Sequence, residues 1–268
     1  MILAGKTAVV TGAAGGIGRA ISCSLARRGS HLVLADVNEA GLAETAAMAG
    51  GQGLRITTHR LDVGDRQAVA AFPDVVATSH PGVDILVNNA GVAVGGAFDQ
   101  VAEADFDWLI DINFWGVVRM TRAFLPLLKA SQEARLVNIS SLFGLIAPPG
   151  QTAYCASKFA VRGFSESLRN ELAGSHVGVT TVHPGGVATS IAKNARISSV
   201  LSEAEQARSQ ERFKRLLKLP PEQAGEIIVK AVEQRRPRII VGSDARFASL
   251  IERLFPVSYW KFIGRGRE

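Results

Sequence analysis

Ala4-Gly5-Lys6-Thr7-Ala8-Val9-Val10-Thr11-Gly12-Ala13-Ala14-Gly15-Gly16-Ile17-Gly18 is the stretch that decides how this chain folds. Thr7 to Val10 is a short apolar run rich in β-branched residues, which suits a buried strand. Gly12, Gly16 and Gly18 follow, and a helical pattern opens at Arg19-Ala20-Ile21. Strand, glycine-rich turn and helix in that order make a phosphate-binding first unit. Glycine lets the backbone turn tightly and come close to a pyrophosphate. The start of the helix offers unpaired N–H groups at its positive dipole end. The spacing is G-x-x-x-G-x-G rather than G-x-G-x-x-G.

Outward from that unit, His31-Leu32-Val33-Leu34-Ala35 is a second apolar run, and it ends at Asp36. A carboxylate there is placed to bond adenosine ribose hydroxyls and to repel a 2′-phosphate. Val37 and Gly15 are uncharged, so no cation stands where a phosphate clamp is expected. The expectation is NAD(H), with NADP left open because Arg19 and Arg28 are within conceivable reach. A second signal lies far along the chain. Tyr154 and Lys158 are four apart, with Ser141 thirteen residues upstream. On a helix such a pair shares one face. A nearby ammonium favours the phenolate, so Lys158 is expected to lower the Tyr154 pKa and make it a general acid or base near neutrality.

These segments, with four others, resemble the short-chain dehydrogenase/reductase family over about residues 4–190. Thr11 to Gly18 is similar to the family's cofactor turn, and Asp62-Val63 to its acidic pair after the third strand. Asn88-Asn89-Ala90-Gly91 is similar to the ending of its fourth strand. Asn113, Ser141, Tyr154 and Lys158 match its catalytic tetrad, and Pro184-Gly185 with Val187 and Thr189 its nicotinamide segment. The resemblance implies an NAD(P)-dependent enzyme that interconverts a secondary alcohol and a ketone. It implies that Gly12, Gly16, Ile17, Gly18, Asp36, Asp62, Val63, Asn89, Tyr154, Lys158, Pro184, Gly185, Val187 and Thr189 face the cofactor. It also implies that Ser141 holds the substrate oxygen, Tyr154 moves the proton, Lys158 tunes it and binds ribose, and Asn113 holds a water. The same resemblance implies a doubly wound α/β Rossmann fold: a parallel seven-stranded sheet, helices on both faces, and a small helical substrate lid.

Composition agrees with one domain over residues 1–268. The chain is 47% hydrophobic over 268 residues, enough for a large core. Cys23 and Cys155 suggest neither a disulfide framework nor a metal site, and the five histidines show no metal spacing. No cleavable leader or membrane-length apolar run is evident, so a cytoplasmic enzyme is expected. Charge is uneven: residues 235–268 carry eight Lys/Arg against three acids, and residues 191–218 seven against three. No nucleic-acid motif accompanies this charge, and none is expected as a partner. An anionic substrate group or peripheral contact with an anionic membrane fits better.

Strand and helix patterns alternate along the chain, with strands expected at 6–10, 31–35, 54–60, 84–88, 134–139, 177–182 and 238–241. Helices are expected at 16–28, 39–49, 65–78, 103–130, 152–173 and 222–234, the fourth kinked by Pro126. Residues 190–219 break the rhythm and stand where relatives carry a substrate lid. The extension at about 243–268 holds a helical stripe of Phe247, Leu250, Ile251 and Leu254. That stripe suits a membrane anchor, or a cover for the active site or a neighbouring subunit. Val92, Val94, Phe98, Leu142, Phe143, Leu145, Ile146, Ala147 and Pro148 are the expected pocket wall. Their apolar character points to a bulky hydrophobic substrate, steroid-, retinoid- or lipid-like. The alternatives are a 3-oxoacyl thioester reductase, or a cofactor-binding scaffold without turnover. A homodimer or homotetramer is the expected assembly.

Overall fold

The computed structural model describes residues 1–51, 53–197, 211 and 216–264. In chain order the first half runs β1 (Thr7–Thr11), α1 (Gly16–Ala26), β2 (His31–Asp36), α2 (Glu39–Ala49), β3 (Ile56–Arg60), α3 (Arg66–Ala77), β4 (Ile85–Asn88) and the short β5 (Val94–Gly95). Then come α4 (Glu103–Ile110), a π-turn (Asp111–Trp115), α5 (Gly116–Ala130), β6 (Ala134–Ile139), a 3-10 turn (Leu142–Gly144), α6 (Thr152–Glu171) and β7 (Val177–Pro184). The chain continues through β8 (Arg196–Ile197), α7 (Pro221–Glu233), β9 (Arg238–Val241), α8 (Ser243–Leu254) and α9 (Tyr259–Ile263).

The main sheet has the order β3-β2-β1-β4-β6-β7-β9, and every pair in it is parallel. Both faces are covered. Ala8 and Val10 of β1, with Leu32 and Leu34 of β2, pack toward α1 and α7 through Ile21, Leu25, Ile228 and Val232. Val9 and Val33 point the other way, into a core with Phe72, Met120, Phe124 and Leu168 from α3, α5 and α6. Strands buried on both faces read as continuous apolar runs, and this is why they were visible in the sequence.

Strand order reverses between β1 and β4. The loops leaving these two strands run in opposite directions and open a crevice at the carboxyl ends, where ligands bind in such sheets. Thr11, Asp36, Asn88, Ser140 and Pro184 all stand at that edge.

The expected helix over 103–130 has the expected ends but is not one α-helix. Its irregularity is the π-turn at Asp111–Trp115, and α5 continues through Pro126 to Ala130. Most of the expected lid, residues 198–210 and 212–215, lies outside the described residues. Its start is fixed: β8 pairs with β5, and the Arg196 guanidinium lies 3.6 Å over the Trp108 ring while donating to Asp105 at 2.8 Å.

Candidate active site

The glycine turn is shaped by close approach. Gly12 has φ +65°, and a Cβ there would stand 2.7 Å from Asn89 Nδ2. At Gly18 a Cβ would stand 2.1 Å from the Gly12 carbonyl oxygen. Asn89 closes the turn from the neighbouring strand, donating Nδ2 to the Thr11 and Gly12 carbonyls at 3.0 Å each. Helix α1 starts after Gly15 with no side chain capping it, and nothing lies within 4 Å of where a Gly15 Cβ would be. Its first turn is therefore left without a side-chain acceptor, as a site for a pyrophosphate requires. Ile17 turns inward and packs on the core. Thr189 lies opposite, its Cγ2 3.0 Å from where a Gly16 Cβ would be, so the segment after Pro184 borders the same space.

Asp36 does not cap the next helix; Asn38 does, its Oδ1 accepting from Gly41 N at 3.0 Å. The two Asp36 carboxylate oxygens accept from Ala14 N and Asn38 N, both at 3.0 Å. That fixes the carboxylate at the rim and leaves each oxygen a lone pair for a ribose hydroxyl. The two arginines that kept a 2′-phosphate conceivable are engaged elsewhere. Arg19 donates to Ala14 O, Gly41 O, Thr45 Oγ1 and Glu44. Arg28 is paired with Glu226 and Glu233. Asp62 is exposed and accepts from Gly64 N at 2.8 Å, while the Val63 side chain is buried against Gly116. Val63 can therefore meet an adenine only through its backbone.

The four tetrad residues converge at the ends of β4 and β6. Lys158 is buried, and its Nζ lies 5.6 Å from the Tyr154 ring centre and donates to Ile139 O at 3.2 Å. Ser140 Oγ donates to Lys158 O at 2.8 Å, stitching α6 to the end of β6. Ser141 lies close enough to the Tyr154 phenol to favour its charged form, and its Oγ accepts from Phe143 N at 3.1 Å. Asn113, in the π-turn, is fully buried. Its amide accepts from Val92 N at 2.8 Å and donates to Val92 O at 3.0 Å and Ser157 Oγ at 3.2 Å. Both amide hydrogens are thus spent on bracing the Gly91–Val92 turn beside Lys158.

The expected direction of the tyrosine shift is not what the fold produces. Burial pushes the Tyr154 phenol up to about 12, and the nearby Ser141 offsets only part of that. Burial likewise takes the Lys158 ammonium down to about 8. Withdrawal from water disfavours both charged forms, and the ammonium bonds Ile139 O rather than the phenol.

Two contributors, His183 and Asn138, were not legible in the sequence. His183, next to the end of β7, is fully buried, and its Nδ1 donates to Ser141 O at 3.0 Å. Burial takes its imidazole down to about 4, so it is neutral and orients the serine backbone without adding charge. Asn88 Nδ2 donates to Thr121 Oγ1 and Asn138 Oδ1, and Asn138 Nδ2 donates to Ser165 Oγ, a buried chain tying β4, β6 and α6 together.

On the substrate side, Val92 packs around Tyr154, and the Phe143 ring meets Tyr154 edge-on at 6.1 Å. Three residues of the expected pocket wall are instead buried. Val94 packs with Leu109 and Ala153. Leu145 is covered, and Ile146 lies under Ala248 and Ile263 of the C-terminal helices. Tyr259 secures that cover, its hydroxyl accepting from Ala147 N at 2.9 Å. Phe98 is exposed.

The family model for short chain dehydrogenases matches residues 6–199. The chain belongs to that family and is an NAD(P)-dependent oxidoreductase acting on CH–OH groups or the corresponding ketones. It is 44% identical over 264 residues to the protein called SadH in Mycobacterium tuberculosis, covering 98% of this chain and 95% of that one. A short-chain dehydrogenase/reductase from Burkholderia phymatum, solved in complex with NAD, superposes with a TM-score of 0.86 at 32% identity, over 95% of each chain. An alcohol dehydrogenase from the archaeon Thermococcus sibiricus, complexed with 5-hydroxy-NADP, gives 0.75 at 26% identity, over 88% of this chain and 95% of that one.

Proposed function

We propose that this enzyme prefers NAD(H) and interconverts a bulky hydrophobic secondary alcohol and its ketone, with Asn113, Ser141, Tyr154 and Lys158 as its working set. The observation that carries the reading is the convergence of those four residues in a fold whose glycine turn opens a helix with no side-chain cap. The residues present fit a dinucleotide: Gly12 to Gly18 for the pyrophosphate, Asp36 for the adenosine ribose, and the backbone at Asp62-Val63 and Asn89 for the adenine side. Pro184, Gly185, Val187 and Thr189 border the nicotinamide side. The dinucleotide supplies the hydride donor or acceptor.

The chain's own groups handle the proton and the oxygen. Ser141, held by His183, donates to the substrate oxygen and stabilises charge building there. At neutral pH Tyr154 is a neutral phenol, the form that gives its proton to a ketone being reduced. Alcohol oxidation needs the phenolate, so it rises with pH. Lys158 stands behind the tyrosine as the next proton donor, and Asn113 holds the turn against which Lys158 rests.

The NAD preference is supported by the rim position of Asp36 and by the engaged Arg19 and Arg28. The hydrophobic substrate is supported by Val92 and Phe143 beside Tyr154. A 3-oxoacyl thioester on a phosphorylated carrier would call for free basic residues beside the lid, and Arg196 there is held by Trp108 and Asp105. A cytoplasmic setting is supported by two unpaired cysteines. We further propose a homodimer or homotetramer. A groove of about 380 Å³ between α5 and α6 is lined by Val118, Leu125, Pro126 and Phe164, and Trp115 just before α5 and Phe159 on α6 are also exposed.

A panel of hydrophobic secondary alcohols and 3-oxoacyl thioesters, followed by nicotinamide absorbance with NAD(H) and NADP(H), tests this reading. Turnover of the alcohols with NAD is expected. Preferential thioester reduction, or equal kcat/KM with the two cofactors, would contradict it.

A further inference from the structure

Helix α8 is built inside out. Its buried residues are Ala245, Ala248 and Ser249, while Phe247, Leu250 and Leu254 are 60%, 55% and 61% exposed. The turn that follows holds Val257 at 96% exposure, and Phe262 of α9 stacks on Phe255 at 4.8 Å with both rings partly in solvent. These side chains form one outward apolar face along the α8–α9 hairpin. Arg246, Arg253 and Lys261 are exposed on the same hairpin, and none of them makes an ion pair among the described residues. Arg246 and Arg253 stand four before and three after Leu250, so they flank it on the helix surface.

We propose that this hairpin docks on an anionic membrane surface, with Phe247, Leu250, Leu254 and Val257 entering the acyl boundary. Arg246, Arg253 and Lys261 would meet the headgroups. An apolar face bordered by cations is the composition that lies in such an interface. A second copy of the chain is a poorer occupant, since a two-fold contact would set these cations against one another. No helix among the described residues is long and apolar enough to cross a membrane, so the contact is a surface one. The inner side of the hairpin rests on the Leu142–Ala147 segment through Ile146, Ala248, Ile263 and the Tyr259 hydroxyl. That segment follows Ser141 directly, so docking would bring the substrate side of the cleft to the lipid.

The test is co-flotation of the full chain with vesicles of phosphatidylcholine containing about 30 mol % phosphatidylglycerol, against phosphatidylcholine alone. Binding is expected to the anionic vesicles only. Replacing all three cations (R246E, R253E and K261E together) is expected to weaken it by about a hundredfold, at roughly one kcal/mol per cation near the surface. A second variant, L250D with V257D, is expected to lose binding while keeping turnover of a water-soluble substrate. No binding by the unmutated chain, or equal binding by the variants, would overturn the proposal. So would a variant that changes only the oligomeric state, which would make the face a contact between copies. Vesicle binding is measured without substrate, so it stands or falls apart from the substrate reading.

Discussion

Helices α1 and α8 are nearly equal in length, 11 and 12 residues, and both carry large apolar side chains at helical spacing. They turn those side chains in opposite directions. α1 buries Ile21 and Leu25 against the sheet; α8 buries alanines and a serine and holds Phe247, Leu250 and Leu254 in solvent. The difference lies in what each helix has beneath it. α1 crosses between two central strands and packs along α7, whereas α8 follows the last strand of the sheet and rests on a short turn. An apolar period shows that a face must be covered, and topology decides by what.

The strongest way to break this contrast is Leu25→Ala. Loss of about 2–5 kcal/mol in denaturant unfolding is expected for a fully buried leucine. A loss under 1 kcal/mol would mean that α1 is not anchored as described. Lys158 tests the buried polar region between the helices and the sheet. Its folded pKa, about 8, lies below the ordinary 10.5. Folding therefore carries a penalty that is fully present below pH 8 and fades as pH rises toward 10.5, because the unfolded chain holds the extra proton in that window. Lys158→Met should relieve it, raising the melting temperature of the cofactor-free protein at pH 7 by an amount of order 3 kcal/mol in stability. The gap to the unmutated chain should close near pH 10.5; a gap independent of pH would contradict the assignment.

Asp36→Ala comes next. Loss of hydrogen bonds to a charged group, about 1.5–3 kcal/mol, predicts a drop in kcat/KM with NAD of roughly ten- to a hundredfold, with selection against NADP relaxed. An unchanged ratio between the cofactors would remove Asp36 from the specificity account. The smallest effect sharpens the opening contrast: Leu250→Ala should alter stability by no more than about 0.5 kcal/mol, as an exposed residue does. A loss as large as that at Leu25 would mean the α8 face is already covered.

Much of the fold was readable because buried parallel strands are continuous apolar runs, and all seven strands of the sheet fall close to the expected segments. The closeness of Tyr154 and Lys158 was readable because the two share one turn of helix. Other features depend on relations the linear pattern does not carry. The π-turn at Asn113 adds a residue that leaves the apolar period of the long helix intact on either side. His183 meets Ser141 only because β6 and β7 are neighbours in register, which brings together residues 42 apart in sequence. The raised Tyr154 pKa follows from burial, whereas charge logic applied to a solvent-exposed helix gives the opposite sign.

The most direct test of the acid–base account is Tyr154→Phe, measured for NADH binding by nicotinamide fluorescence and for turnover of one secondary alcohol–ketone pair. The phenyl ring keeps the edge-on contact with Phe143 and removes only the hydroxyl. Binding should be unchanged, and kcat should fall by roughly 10²–10⁴-fold in both directions, the usual share of a positioned proton donor. Undiminished turnover with intact binding would show that the proton moves by another route.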